Sequence, residues 1–243
     1  MPDLRPGLPT SSTTARCHAL LPCAGTGSRA GTPLPKQYQA LAGRPMVMHT
    51  LAALRGVARI DRCLVVTAPD DGFWATQAVP PGVTVAPCGG DSRAQSVFNG
   101  LQALREQGAQ PLDWVLVHDA ARCLVTPSQV EALMDACEND AVGGLLALPL
   151  PDTLKAEVGG RVAATVDRSG KWLAQTPQMF RLGALSDAMA HAARAGFDGV
   201  TDEASAMEMA GFKPLLVRGS AQNFKITYPE DFALAEAVLR SRS

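Results

Sequence analysis

Along most of this chain, short and largely apolar runs alternate with stretches whose apolar residues recur at helical spacing. His18–Leu21, Cys63–Thr67, Val83–Ala86, Trp114–Val117 and Val142–Leu148 have few polar interruptions, the pattern of strands buried on both faces of a parallel sheet. Between them, helical patterns fall at Pro45–Leu54, Ser92–Gln107 and Pro127–Cys137. The third has a clear start signal, with Thr126 as N-cap, Pro127 at the first helical position and Gln129 as the capping-box partner. Such alternation predicts an α/β fold built on a doubly wound, mostly parallel sheet. Ligands of these sheets sit at the carboxyl ends of the strands, so the residues just after each strand are the candidates for chemistry.

Residues 152–170 break the rhythm. Asp152–Lys155, Gly159-Gly160 and Val162–Val166 predict a β-hairpin that leaves the sheet. From pattern alone it is equally a surface flap or an arm that pairs with a second copy. Beyond it, helices are expected near Leu182–Ala195 and Asp202–Ala210 and strands near Pro214–Val217 and Asn223–Ile226. A last helix starts at Pro229, with Thr227 and Glu230 as its capping box. No internal repeat or linker interrupts residues 17–243, which read as one domain with an arm. Met1–Arg16, rich in Pro, Ser and Thr, reads as a disordered leader.

Composition narrows the class. The chain has 243 residues, 47% hydrophobic, with a formal net charge of −1. That is enough to bury a substantial core, and too balanced in charge for a protein that coats nucleic acid. No apolar run approaches the ~20 residues of a membrane helix, and no secretory signal is evident, so a cytoplasmic location is expected. The six cysteines are scattered without metal-ligand spacing and are expected to be reduced and mostly buried. The net charge conceals an asymmetry, because Asp3 is the only acid in residues 1–60, which carry seven Lys and Arg. A first quarter with so few acids favours an anion nearby.

The first predicted strand runs into Cys23-Ala24-Gly25-Thr26-Gly27-Ser28-Arg29, with Lys36 soon after. Small residues after a strand let backbone N–H groups cradle phosphate oxygens. Gly25-x-Gly27-x-x-Ala30 matches a dinucleotide fingerprint, but the acid needed about 20 residues on is missing, since the next one is Asp61. No Gly-Lys-Ser/Thr follows either, which leaves a Gly-rich loop with its own Arg and Lys, suited to a triphosphate. Gly89-Gly90-Asp91 lies between a strand and a helix, where backbone can approach a flat base edge and Asp91 and Ser96 can add polar contacts. Asp91 or Ser92 is equally a plain helix cap there. Asp119 directly follows the strand Trp114–Val117 and His118, well placed to hold Mg²⁺ against phosphates, or alternatively paired with Arg122. His118 reads as structural, because attack by an ionised phosphate needs no general base.

Taken in order, these segments resemble one family. The loop through Lys36, the stretch Gly89–Ser96 and His118-Asp119-Ala120-Ala121-Arg122 are similar to the 2-C-methyl-D-erythritol 4-phosphate cytidylyltransferases. So are Thr165–Arg168, Thr176-Pro177-Gln178, Thr201–Ser205 and Asn223–Thr227, so the resemblance runs from about residue 18 to 240. It implies a Rossmann-like nucleotidyltransferase that moves CMP from CTP to 2-C-methyl-D-erythritol 4-phosphate with Mg²⁺, releasing pyrophosphate. By resemblance, Gly90, Asp91 and Ser96 select the cytosine together with the Cys23–Ala24 backbone, and Gly25 and Gly27 belong to the same nucleotide loop. Asp119 becomes the metal-associated acid and Arg122 faces the sugar phosphate. Arg29, Lys36 and Lys225 form a cationic ring at the α-phosphate. Thr153, Arg168 and Thr201 grip the acceptor, with Thr153 and Arg168 on or beside an arm that forms a homodimer across a two-fold axis.

Two departures stand out. Cys23 replaces the commoner Ala at a position used mainly through its backbone, and Cys123 follows Arg122 where Pro is usual. Three other readings remain open at this point. A ribitol 5-phosphate cytidylyltransferase would share the nucleotide chemistry, an NADP-dependent oxidoreductase would use the glycine fingerprint, and a silent nucleotide-binding module would keep the site without the reaction. Loss of one electrostatic donor at a reacting phosphate typically costs on the order of 10²–10³ in rate. Lys36→Ala is therefore expected to fold normally and to lose at least that much pyrophosphate release. Near-parental turnover would remove Lys36 from the catalytic role.

Overall fold

A computed structural model describes residues 15–25 and 35–242. Gly27, Arg29 and most of the expected leader lie outside the described residues. The chain enters on β1 (Cys17–Pro22), followed by a 3-10 turn at Lys36–Tyr38, a small hairpin of β2 (Ala40–Leu41) and β3 (Arg44–Pro45), and α1 (Met46–Arg55). Next come β4 (Arg62–Val66), α2 (Phe73–Thr76), β5 (Val83–Ala86), α3 (Arg93–Glu106), β6 (Trp114–Val117), α4 (Pro127–Cys137) and β7 (Gly143–Pro149). The predicted excursion is a hairpin of β8 (Leu154–Val158) and β9 (Arg161–Val166). The chain closes with β10 (Trp172–Arg181), α5 (Leu182–Ala193), α6 (Glu203–Met209), β11 (Leu215–Arg218) and α7 (Pro229–Ser241).

Seven strands form one sheet in the order β11-β7-β10-β6-β1-β4-β5. Every neighbouring pair is parallel except those of β10, which runs antiparallel to both β6 and β7. The strands are apolar throughout because both faces are covered. Ala19 and Leu21 of β1 join Val65 and Leu116 in a cluster packed by Leu51, Leu54, Leu133 and Met134 from α1 and α4. Leu20, on the other face, joins Leu64, Val66 and Val117 against Val97, Leu101 and Leu104 of α3 and Leu185 and Met189 of α5. Gly100 lets α3 lie close to this face, since a Cβ there would meet Val66 Cγ2 at 2.7 Å and Leu20 Cδ1 at 2.8 Å. A third cluster, with Leu41, Met46, Leu124, Ile226 and Ala235, seats α7 beside the β2–β3 hairpin.

Three sequence expectations need correction. Asn223–Ile226 is not a strand but an extended segment without a sheet partner, held by a hydrogen bond from Ile226 N–H to the Ala121 carbonyl. The α7 start is capped one residue later than expected: Tyr228 is the cap residue. The Asp231 carboxylate, not Glu230, accepts from the Thr227 and Tyr228 N–H groups at 2.7 and 2.8 Å. Arg16, assigned to the leader by composition, is tied to the amino end of the central strands β1 and β6. Its N–H donates to Asp113 at 2.9 Å and its guanidinium to the Gly108 carbonyl at 2.8 Å.

The hairpin of β8 and β9 forms its own two-stranded sheet, turned by Gly159 and Gly160 at φ of 59° and 78°. A left-handed pair of this kind suits glycine and matches the twist of a tight hairpin. Nearly all of its residues are exposed, Val158 and Val162 among them. The α4 start is as the sequence predicts: the Thr126 hydroxyl accepts from Gln129 N–H, and the Gln129 side chain accepts from Thr126 N–H. Thr126→Ala is expected to cost about 1 kcal/mol, lowering Tm in a thermal melt by about 2–4 °C.

Candidate active site

The parallel strands β5, β4, β1 and β6 bring their carboxyl ends to one edge, and the loops that follow them enclose a cleft of about 530 Å³. Two of its walls are main chain. Cys23 N–H donates to the Val66 carbonyl at 2.7 Å, and Gly89 N–H donates to the Thr67 carbonyl at 2.7 Å. The two loops then touch so closely that a Cβ on Gly89 would lie 2.2 Å from Ala24 Cβ and 2.7 Å from the Thr67 carbonyl oxygen. Gly90 is equally crowded, by Gln95, and its N–H donates to the Ser96 hydroxyl at 3.1 Å. Ser92, rather than Asp91, caps α3 by accepting from Gln95 N–H, which leaves the Asp91 side chain to the cleft.

Gln37 contributes a support that sequence reading missed. Its buried amide donates to the Cys23 and Gly25 carbonyls at 2.7 and 3.0 Å, fixing the start of the glycine loop. Its position next to Lys36 was the available signal. Lys36 reaches the Ile226 carbonyl with its ammonium at 2.8 Å and so ties the near side of the cleft to the segment that carries Lys225.

The charged floor is centred on Asp119. Its Oδ1 accepts from Arg93 Nε at 2.8 Å and its Oδ2 pairs with Lys225 Nζ at 2.7 Å. Arg93 in turn grips the buried Glu203 carboxylate through two nitrogens, at 2.7 and 3.1 Å. Burial alone would raise the Asp119 carboxyl, but Arg93 and Lys225 hold it well below the usual carboxylate range. Glu203 goes the other way, with burial raising it against the pull of Arg93. Neither Arg93 nor Glu203 was among the predicted site residues. Both lie within segments that carry the resemblance, Gly89–Ser96 and Thr201–Ser205, but only the fold brings the two side chains together.

Nine predicted residues share this cleft: Cys23, Ala24, Gly25, Lys36, Gly90, Asp91, Ser96, Asp119 and Lys225. Others sit elsewhere. Thr201 lines a smaller cavity of about 180 Å³ on the far side of Arg93. Arg122 is not part of the cleft lining; its guanidinium binds the Asn223 and Ala174 carbonyls at 2.8 and 3.1 Å. Thr153 and Arg168 flank the exposed hairpin, where Arg168 donates to the Pro151 carbonyl. The cysteines are free thiols, five buried and Cys88 half-buried. Burial pushes the Cys23 thiol far up, so it lines the cleft as a small neutral group. Among the described residues, no three His, Cys, Asp or Glu side chains gather into a metal cluster.

The fold and the cleft define a nucleotidyltransferase: a glycine loop, a main-chain wall and a cation-ringed carboxylate at the carboxyl edge of a doubly wound sheet. The chain belongs to the 2-C-methyl-D-erythritol 4-phosphate cytidylyltransferase (IspD) family, whose model matches residues 17–241. It is 54% identical over 230 residues to the 2-C-methyl-D-erythritol 4-phosphate cytidylyltransferase of Paraburkholderia phymatum, covering 93% of this chain and 97% of that protein. It is 64% identical over its whole length to the bifunctional enzyme IspD/IspF of Albidiferax ferrireducens, of which it spans 57%. A crystal structure of 4-diphosphocytidyl-2C-methyl-D-erythritol synthase superposes with a TM-score of 0.83 at 40% identity, covering 94% of this chain and all of that one. These similarities do not favour the ribitol phosphate or nicotinamide readings.

His118 is buried behind Asp119, with both ring nitrogens engaged. The Asp119 N–H donates to the Thr176 hydroxyl at 3.0 Å, that hydroxyl donates to His118 Nδ1 at 3.0 Å, and Nε2–H points to the Arg122 carbonyl at 3.2 Å. These contacts suit a neutral ring, and burial pushes its pKa down to about 4. The ring is then neutral in both states at pH 7, and acidification protonates the unfolded chain first, below about 6.5. Unfolding free energy should therefore fall by on the order of 2–4 kcal/mol between pH 7 and 4 on account of this group. Denaturant melts across that range should show a steeper loss for the parent than for His118→Gln; parallel profiles would contradict this.

Proposed function

We propose that the chain transfers the cytidylyl group of CTP to 2-C-methyl-D-erythritol 4-phosphate, giving 4-diphosphocytidyl-2-C-methyl-D-erythritol and pyrophosphate for isoprenoid precursor synthesis. The observation that carries this reading is the Asp119 carboxylate held between Arg93 and Lys225 at the floor of a cleft walled by main chain. A phosphate oxygen of the acceptor forms a bond to the α-phosphorus of CTP while the bond to the β-phosphate oxygen breaks in line. The acceptor phosphate is already ionised, so no proton need be removed, in keeping with a His118 whose nitrogens are both occupied. Catalysis is then positioning plus stabilisation of charge on the five-coordinate phosphorus.

Lys36 and Lys225, both lining the cleft, supply that positive charge, and Arg29 is assigned the same task from the sequence. The small residues that follow β1 suit a phosphate, and the main chain at Gly90-Asp91, which lines the cleft, suits a base edge. Asp119 suits a Mg²⁺ site: Mg²⁺ favours one or two carboxylates completed by substrate phosphates and water over a cage made wholly of protein ligands. When bound, the ion would neutralise phosphate charge. Arg122, Thr153, Arg168 and Thr201 remain the assigned acceptor contacts. A homodimer through the hairpin of β8 and β9 would suit the place of Thr153 and Arg168 beside that hairpin, and the exposed Val158 and Val162 would give the contact apolar area.

A cytoplasmic location, and the absence of membrane and nucleic-acid partners, complete the reading. Among the described residues no helix is long and apolar enough to cross a membrane, and the net charge is −1. Pyrophosphate release measured across the four nucleoside triphosphates, with methylerythritol phosphate or ribitol 5-phosphate as acceptor, tests the assignment. Turnover is expected with CTP and methylerythritol phosphate alone and should vanish with a chelator. Equal or faster turnover of ribitol 5-phosphate would overturn the acceptor, and activity in the chelator would overturn the metal.

A further inference from the structure

Arg93 touches two carboxylates, and it does not share itself equally between them. One bond, from Nε at 2.8 Å, reaches Asp119, whereas two nitrogens engage Glu203. Glu203 is 1% exposed, and its place is fixed from two sides. Asp202 caps α6 by accepting from Ser205 N–H, and Gln178 of β10 clamps that cap, donating to Asp202 at 2.8 Å and accepting from Ala204 N–H at 2.7 Å. A carboxylate so deeply buried is not needed for packing, since apolar groups of similar volume often replace buried ion pairs without loss of stability. Its consequence lies one side chain away. A guanidinium does not deprotonate, so Arg93 is a permanent cation that competes with any metal ion for the Asp119 oxygens. Glu203 draws that charge aside.

We propose that Glu203 is a positioning residue that divides Arg93 between two carboxylates and thereby leaves Asp119 able to attract a divalent cation. This rests on the assignment of Asp119 as the metal-associated acid. In Glu203→Gln the guanidinium has Asp119 as its one remaining ion-pair partner among the described residues, and the cation is disfavoured there. Loss of an outer partner of a metal ligand typically weakens metal affinity by about 10–100-fold. Two measurements on the intact chain read this: Mn²⁺ binding in the presence of CTP without acceptor, followed by electron paramagnetic resonance, and the Mg²⁺ concentration for half-maximal pyrophosphate release.

Glu203→Gln is expected to raise both midpoints by about tenfold or more, while CTP affinity measured by calorimetry without metal does not fall. Arg93→Gln/Glu203→Gln removes the competing cation along with its anchor and is expected to return the Mn²⁺ midpoint to the parental value or below. If the single variant does not fold, a double variant that binds Mn²⁺ more weakly than the parent still overturns the proposal, and one that binds more tightly supports it. A parental Mn²⁺ midpoint in Glu203→Gln, or a double variant as weak as the single, would overturn the proposal and leave Glu203 a structural anchor. Asp119→Asn separates the two levels of the argument. If it weakens Mn²⁺ binding and Glu203→Gln does not, only the role of Glu203 fails; if it leaves binding unchanged, the assignment of Asp119 fails and this proposal with it.

Discussion

The site depends on one buried carboxylate being surrounded by cations before any ligand arrives. Asp119 is held by Arg93 from the start of α3, by Lys225 from the segment before α7, and through its own N–H by Thr176 from β10. These partners are distant in sequence: Arg93 opens α3, Thr176 lies within β10 where its pairing with β7 is interrupted, and Lys225 lies on the segment before α7. The network therefore serves both the fold and the chemistry. A buried carboxylate without such partners would be neutralised rather than tolerated. Of the two cations that keep Asp119 ionised, Lys225 is also one of those proposed to meet the triphosphate.

Much of this arrangement was legible in the sequence because it depends on local rules. The strand–helix alternation, the Thr126 capping box and the Gly159-Gly160 turn are decided within a few residues, and all three stand in the structure. Most of the nine cleft residues follow strands or lie at the start of a helix, where the fold class itself puts ligands, whereas Lys225 was reached through the family resemblance. What escaped was set by tertiary context. Strand β10 contains Gln175, Thr176, Pro177 and Gln178, a polar run with a proline that period-2 reasoning rejects. It is nevertheless buried, because its polar groups are matched one by one: Thr176 with Asp119 and His118, and Gln178 with Asp202 and Ala204.

The reverse error at Asn223–Ile226 has the same origin. Its apolar residues suggest a strand, yet its carbonyls and side chains are taken by other groups. Lys36 binds the Ile226 carbonyl, Arg122 binds the Asn223 carbonyl, and the Asn223 amide donates to the Thr176 carbonyl at 2.9 Å. A segment so used cannot also join a ladder, and it is this use that holds Lys225 over Asp119. Glu203 was invisible for a related reason: its one-dimensional setting is that of a first-turn helical acid, and only the bidentate grip of Arg93 gives it another meaning.

The crowding at Gly89 carries a consequence of another kind. Because no side chain fits between Ala24 and Thr67, that wall of the cleft is built from peptide groups, which are identical whatever residues flank them. Sequence drift in the neighbouring loops leaves its donors and acceptors unchanged, as the thiol of Cys23 illustrates. A new ligand preference cannot be reached there by exchanging one side chain for another. It would take a change in loop length, which moves the whole wall at once and strains both strand ends that support it. The cleft is thus permissive toward substitution and resistant to respecialisation, and both properties come from a single missing methyl group.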